Sequence, residues 1–171
     1  RTASACDELV AQGATRLNLN DIGEYPIVLS CLADDSAVQA VIDQIADYLQ
    51  PQQVIVDFSS LSVDKTKSLA KQVQSKNAVW IDSPVSGGTI GAEQGSLVIF
   101  AGGDAQVIES LAIMYEVLSQ RVTRMGETGT GQATKICNQL IVAANSTLIA
   151  EAVALASLSG VDTTLLAPAL A

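Results

Sequence analysis

A lysine and two amide side chains share helical spacing in the last third of the chain. Lys135 is followed by Asn138 and Gln139 at i+3 and i+4, so a helix places all three on one face. A partly desolvated lysine near a helix N-terminus has a lowered pKa and can act as a general acid. The alternative interpretation is a solvated lysine whose stem lies along an interface. Both interpretations of Lys135, a proton donor and a solvated lysine, stay open on the local sequence.

A glycine-rich loop is the second candidate. Ser86, Gly87 and Gly88 follow an apolar segment of strand length, and Pro84 stiffens the exit from it. Two glycines after a serine expose backbone N–H groups that can hold a carboxylate. The same pair also suits a tight turn that needs a positive φ. Both interpretations stay open on the local sequence.

The composition excludes several kinds of chemistry. The 171 residues include no histidine, which removes Ser-His-Asp triads, Cys-His pairs and histidine-based zinc sites. Nine Lys and Arg against eighteen Asp and Glu give a net charge of −9. That balance argues against nucleic acid as a partner, because binding to a phosphate backbone needs a basic surface. A small anionic ligand remains possible where a few cations lie locally, and we expect no metal site.

Strand-like and helix-like segments alternate along the first three quarters of the chain. Continuous apolar runs predict strands at 26–32, 53–58, 78–82, 96–101 and 121–124. Helical patterns at 2–11 and 62–76, and others that begin near Asp34 and Asp104, separate them. This alternation predicts an α/β fold, a Rossmann-like doubly wound parallel sheet with helices on both faces.

After Gly126 the pattern becomes a single long helix, predicted over 132–159. It is apolar nearly all round, so we expect it to be buried against a second helical domain or a second subunit. The four residues Asn145, Ser146, Thr147 and Glu151 within it argue against a membrane span. We therefore divide the chain into an α/β domain, 1–125, and the start of an all-α domain, 126–171, and we expect a homo-oligomer.

The three cysteines lack metal or redox spacing. Cys6, Cys31 and Cys137 form no C-x-x-C pair, which suggests structural thiols in a reducing cytoplasm. We expect Cys31 and Cys137 to lie in the core.

Three segments together resemble the β-hydroxyacid dehydrogenase family, which includes 3-hydroxyisobutyrate dehydrogenase and tartronate semialdehyde reductase. They are DSPVSGG at 82–88, GAEQG at 91–95 and GTGQATKICN at 129–138. The resemblance covers essentially the whole chain. It implies hydride exchange between NAD(P) and a small 3-hydroxy acid or semialdehyde acid, with Lys135 as the catalytic acid or base.

The resemblance also implies binding residues. Ser86, Gly87 and Gly88 would hold the substrate carboxylate, and Asn138 and Gln139 would lie beside the substrate. The family often has Asn where this chain has Gln139, and that difference leaves the substrate pose open.

Five residues are implied for the cofactor. Leu32 and Ala33 would line the dinucleotide, and Ser60, where the family usually has Thr, would lie on the nicotinamide side. Arg1 and Thr2 match the segment after the family's second strand, where an arginine favours the 2′-phosphate of NADP. NADP is thus preferred over NAD.

The family's opening strand and its G-x-G-x-x-G turn would precede Arg1, so we expect a sheet without its first βα unit. The 171-residue chain alone should then bind NADPH poorly.

Two alternatives remain. One is an enzyme similar to 6-phosphogluconate dehydrogenase, although that enzyme carries His-Asn where this chain has Asn138 and Gln139. The other is a catalytically silent dinucleotide-fold module used for assembly, which would have no need of Lys135.

Overall fold

The sheet is built from short apolar segments, and its strands at 54–57 and 79–82 bury side chains on both faces. In the computed structural model, which describes residues 6–170, the strands are β1 (Ile27–Ser30), β2 (Val54–Asp57), β3 (Val79–Asp82), β4 (Val85–Ser86), β5 (Leu97–Gly102) and β6 (Ser119–Gly126). Each of the five predicted strands is present, with ends within two residues of the prediction.

Several helices begin after a polar side chain that caps their first turn. They are α1 (Asp7–Ala11), α2 (Asp35–Ile45), α3 (Val63–Gln74), α4 (Gly88–Glu93), α5 (Ala105–Ser110), α6 (Ala112–Leu118), α7 (Thr130–Leu158) and α8 (Leu166–Leu170). The predicted caps are confirmed: Asp34 accepts from the Ala37 N–H at 2.8 Å, and Asp104 accepts from the first N–H groups of α5. Part of the predicted 2–11 helix lies outside the described residues.

The strand directions confirm the Rossmann-like class and correct one part of it. β1, β2 and β3 are parallel, and β5 and β6 are parallel. β5 is antiparallel to β3 and β4, so the sheet is mixed and not wholly parallel. Only ten residues separate Ser86 from Leu97. A parallel crossover needs a dozen or more, so the chain turns back instead.

Two hydrophobic clusters lie on the two faces of this sheet. Ile55 and Trp80 pack with α2 and α3, while Val56 and Ile81 pack with α5 and α6. Side chains of adjacent strand residues thus pack on opposite faces of the sheet, as the period-2 geometry of a strand requires. Burial of each such large side chain stabilises the fold by about 1.5–3 kcal/mol.

The chain divides into two compact units, Arg1–Ala133 and Thr134–Ala171. The second unit consists of α7 from Thr134 onward, a 3-10 turn at Thr163–Leu165, and α8. α7 confirms the predicted long helix.

Within residues 6–170, nothing covers most of the apolar surface of α7, which we expected to be buried. Its apolar side chains are exposed, among them Leu140 (69%), Ile141 (61%), Leu148 (66%), Ile149 (64%) and Leu155 (67%). By length and composition alone α7 would be able to cross a membrane.

The expectation of buried cysteines is wrong. Cys31 and Cys137 are both exposed, as is Cys6, and all three are free thiols. Cys31 follows an edge strand that is covered on one side only, and Cys137 lies on the exposed α7.

Candidate active site

Asp57 links the carboxyl ends of β1 and β2 through hydrogen bonds. Its Oδ1 atom accepts hydrogen bonds from the hydroxyls of Ser30 and Ser59, both at 2.6 Å. The Ser59 hydroxyl oxygen in turn accepts the backbone N–H of Leu32 at 2.8 Å. Oδ2 of Asp57 is buried without a hydrogen-bond partner. Burial raises the pKa of Asp57, and the serine hydrogen bonds only partly offset that effect.

Asp82, at the carboxyl end of β3, holds the first turn of α7. Its Oδ1 accepts from the Gly129 N–H at 2.7 Å and its Oδ2 from the Gln132 N–H at 3.0 Å. These N–H groups have no partner within the helix, and their partial positive charge favours a carboxylate. Burial nevertheless raises the pKa of Asp82, with the backbone hydrogen bonds acting in the opposite direction.

Two glycines allow the Asp82 carboxylate to approach so closely. A Cβ at Gly102 would lie 2.7 Å from both carboxylate oxygens, and a Cβ at Gly131 would lie 2.7 Å from Oδ2. Both distances are shorter than van der Waals contact, so any side chain at either position would displace the carboxylate or the helix. The start of α7 therefore packs directly against β3 and β5.

Gln132 joins the same helical turn to the loop after β2. Its side chain is 1% exposed; Oε1 accepts from the Leu61 N–H at 3.0 Å, and Nε2 donates to the Ser59 carbonyl oxygen at 2.7 Å. Ser60 lies between these two anchored residues and is itself exposed.

The predicted carboxylate-binding loop is a tight turn. Ser86 is half-buried in β4, and Gly87 and Gly88 have φ angles of 130° and 63° at the start of α4. These angles confirm the need for glycine. Both glycines are exposed, so their backbone is accessible from solvent.

The second unit carries the predicted proton donor. Lys135 and Asn138 are half-buried and Gln139 is exposed, all on α7. Partial burial lowers the pKa of Lys135. This is the direction that brings a lysine closer to acid–base work near neutral pH.

The predicted cofactor residues lie at the carboxyl ends of two adjacent parallel strands. Leu32 is half-buried and Ala33 exposed after β1, and Ser60 is exposed after β2. The structure brings these loops together through Ser59, which links Asp57 to the Leu32 backbone. Arg1 and Thr2 lie outside the described residues.

This edge of the sheet is where the fold class places a dinucleotide. In doubly wound sheets such ligands bind outside the carboxyl ends of the strands. Here that edge offers the Ser60 hydroxyl and the Ala33 backbone, and the Asp34 carboxylate beside them is engaged in capping α2. Among residues 6–170 no group of three or more His, Cys, Asp or Glu could hold a metal ion.

Sequence reasoning overlooked Gln132 and the role of Asp82. Their contacts join positions 47 to 73 residues apart, which no local pattern reveals. One signal was available: Gln132 precedes Lys135 by one helical turn, so a buried face of α7 at that point would include it.

Comparison with known proteins identifies both parts of the chain. Residues 1–126 match the sequence model of the NAD binding domain of 6-phosphogluconate dehydrogenase. Residues 129–171 match that described as NAD-binding of NADP-dependent 3-hydroxyisobutyrate dehydrogenase.

Similar proteins include two curated relatives. Mitochondrial 3-hydroxyisobutyrate dehydrogenase of Drosophila melanogaster is 35% identical over 161 residues, which cover 92% of this chain and 50% of the relative. The 2-hydroxy-3-oxopropionate reductase of Escherichia coli K12 is 44% identical over 110 residues, 64% of this chain and 38% of the relative. The chain thus spans half or less of the length of these two relatives.

A solved structure shares the fold. The 3-hydroxyisobutyrate dehydrogenase of Mycobacterium tuberculosis, solved with L-serine, is 27% identical with a TM-score of 0.88, over 93% of this chain and 55% of that one. The chain belongs to the β-hydroxyacid dehydrogenase family, whose nucleotide-binding domain is of the 6-phosphogluconate dehydrogenase type.

Proposed function

We propose that the full-length protein is an NAD(P)-dependent oxidoreductase that interconverts a small 3-hydroxy acid and its semialdehyde acid. The observation that carries this proposal is Lys135, half-buried on α7 with a pKa lowered by burial, inside the segment matched to a 3-hydroxyisobutyrate dehydrogenase. The relatives named dehydrogenase and reductase support the same reaction class.

Lys135 is the proposed general acid and base. NAD(P) held by Leu32, Ala33 and Ser60 would supply hydride to the carbonyl carbon in reduction and would accept it from the hydroxyl-bearing carbon in oxidation. In reduction, the Lys135 ammonium gives a proton to the carbonyl oxygen as the carbon gains its hydrogen, which yields the hydroxy acid. In oxidation, the neutral amine takes the hydroxyl proton. A lowered pKa makes the amine available for that direction.

The substrate carboxylate is assigned to Ser86, Gly87 and Gly88. The exposed glycine backbone and the Ser86 hydroxyl supply hydrogen-bond donors without adding a cation. Asn138 and Gln139 share the Lys135 face of α7 and are the proposed contacts to the remainder of the substrate. Semialdehyde acids such as 2-hydroxy-3-oxopropionate fit this combination, and the E. coli relative is named for that compound.

The cofactor is assigned to the edge formed by Leu32, Ala33 and Ser60, with Arg1 and Thr2 at the ribose. NADP is proposed over NAD because Arg1 would favour a 2′-phosphate and because the model matched by residues 129–171 is described as NADP-dependent. The corresponding domain division is 1–125 and 126–171, and the two matched ranges support it.

The exposed α7 belongs, in this proposal, to the enzyme's helical domain and not to a membrane. It falls inside the matched range 129–171. Its apolar surface would be covered by a second helical domain or by a second copy in a homo-oligomer. The free thiols are consistent with the proposed cytoplasmic location.

The test is Lys135→Ala in the full-length protein, measured with tartronate, succinic and methylmalonate semialdehydes and with both NADH and NADPH. We expect turnover to fall by at least about 100-fold, within the range of acid–base contributions, while cofactor affinity stays nearly unchanged. Lys71→Ala is the matched control, since Lys71 is exposed on α3. It should retain wild-type rates.

Near-normal turnover of the Lys135→Ala protein would contradict the assigned mechanism. A wild-type protein that binds neither cofactor and reduces none of these substrates would support the silent-module alternative. Oxidation of 6-phosphogluconate with NAD+ or NADP+, without reduction of any of the three semialdehydes, would favour the 6-phosphogluconate dehydrogenase-like alternative.

A further inference from the structure

Gln132 is a buried residue in the first turn of α7. Its buried amide is hydrogen-bonded to the backbone on both sides of Ser60, through Leu61 N–H and the Ser59 carbonyl oxygen. Its own N–H is held by Asp82 at 3.0 Å. One residue thus connects the end of β3, the loop after β2 and the first turn of α7.

These contacts fix the Ser59–Leu61 segment relative to the first turn of α7. The amide uses its oxygen as an acceptor and its nitrogen as a donor toward two peptide groups that flank a single residue. A shift of the Ser59–Leu61 segment by even one peptide breaks both hydrogen bonds at once in a buried environment.

The contacts also determine where α7 begins. Lys135 follows Gln132 by three residues in the same helix, so the turn that Gln132 anchors is the turn from which the lysine extends. We propose that Gln132 is a positioning residue: it locks the loop that carries Ser60 to the first turn of the helix that carries Lys135. This inference rests on the proposed function of those two residues.

The chain supplies a matched control. Gln53, just before β2, is another buried glutamine, 3% exposed, whose Nε2 donates to the carbonyl oxygens of Ile22 and Tyr25 and whose Oε1 accepts from Gln50 N–H. It has the same chemistry as Gln132, at the opposite end of the strand from the proposed site. A general loss of fold stability should affect both variants alike.

The experiment compares Gln132→Met with Gln53→Met in the full-length protein. Rates are expressed per NADPH-binding site, so that unfolded material is not counted. We expect Gln132→Met to lower kcat by about 10- to 100-fold, the scale set by small misplacements of reacting groups. KM for the semialdehyde should change less than kcat, and the isotope effect with 4-deuterated NADPH should rise toward its full value. Gln53→Met should lower Tm and leave kcat and the isotope effect unchanged.

Gln132→Glu is the second variant. It retains the acceptor for Leu61 N–H and, when ionised, loses the donor to the Ser59 carbonyl, so kcat should fall in the same direction. Equal kcat values for wild type and both Gln132 variants would overturn the proposal, as would variants that never bind NADPH, which would assign Gln132 to folding alone. A wild-type protein inactive with every semialdehyde would instead overturn the proposed function.

Discussion

Asp57 and Asp82 are buried to the same extent at the ends of adjacent strands, yet their hydrogen bonding differs. Both oxygens of Asp82 accept backbone N–H groups. Only Oδ1 of Asp57 is engaged, by two serine hydroxyls, while Oδ2 has no partner. The same substitution should therefore have opposite effects at the two positions.

Asp57→Asn should gain stability relative to wild type as the pH rises. The folded-state pKa of Asp57 is raised above 3.8 by burial. The stability contributed by its protonated form is complete below about pH 3.8 and is lost as the pH rises through the folded pKa. Asparagine keeps the Oδ1 acceptor and never ionises. Thermal unfolding of both proteins from pH 4 to pH 8 should show the Tm difference, variant minus wild type, increasing with pH; a constant difference would contradict this.

Asp82→Asn should destabilise the protein at neutral pH. The amide presents N–H hydrogens toward one of two backbone N–H donors, which leaves that donor unmet at a cost of about 1–3 kcal/mol. The favourable charge at the start of α7 is lost as well. A fall in Tm of several degrees at pH 7 is expected, at about 2–4 °C per kcal/mol. A variant at least as stable as wild type would contradict the capping role.

At the residue scale, local patterns were enough to locate Lys135 on a helix, and they gave a tight turn as one of two interpretations of Gly87 and Gly88. They could not reveal Gln132, because its partners are 71 and 73 residues away. Nor could they show that Cys31 is exposed, because that depends on which side of the strand is covered.

At the element scale, the close packing of the start of α7 against the sheet depends on the lack of a side chain at Gly131. A Cβ there would overlap the carbonyl oxygen of Phe100 and would approach the Asp82 carboxylate and backbone. Because these neighbours are backbone atoms of β5 and β3 or a buried charge, they cannot move aside.

Gly131→Ala should therefore displace the helix start and lower the stability by several kcal/mol, at the upper end of single substitutions. Gly91→Ala is the control, since Gly91 lies in α4 and its Cβ would meet only the flexible end of Leu97 at 3.3 Å and Leu97 backbone atoms at 3.9 Å. Denaturant unfolding of the two variants measures the contrast. Equal midpoints would show that the close packing at Gly131 is dispensable.

The alternation of strands and helices predicted the elements well because each has its own period and caps. The strand directions were harder to predict. The reversal between β4 and β5 follows from a connection too short for a parallel crossover, a constraint that appears only once the strand pairing is known.

At the scale of the whole molecule, the exposed apolar surface of α7 predicts self-association. Leu148 and Leu155 are one heptad apart and 66% and 67% exposed. Replacing both with Gln should shift the protein toward smaller species in sedimentation velocity, because less apolar area is removed from water on association. Ile113→Gln on α6, 80% exposed, is the control and should leave the mass unchanged. An unchanged mass for the double variant would exclude α7 as the contact.

The outer edge of β1 has a different consequence for the behaviour of the chain in solution. Within residues 6–170 β1 pairs only with β2, and its Ile27 and Leu29 are 40% and 50% exposed. A strand edge recruits backbone hydrogen bonds from any extended segment, and one added strand presents a new edge to the next. Contact through α7 can close on itself, whereas strand addition has no natural stopping point. Within residues 6–170, the outer edge of β1 is thus the place where a further extended segment can pair with the backbone and lengthen the sheet.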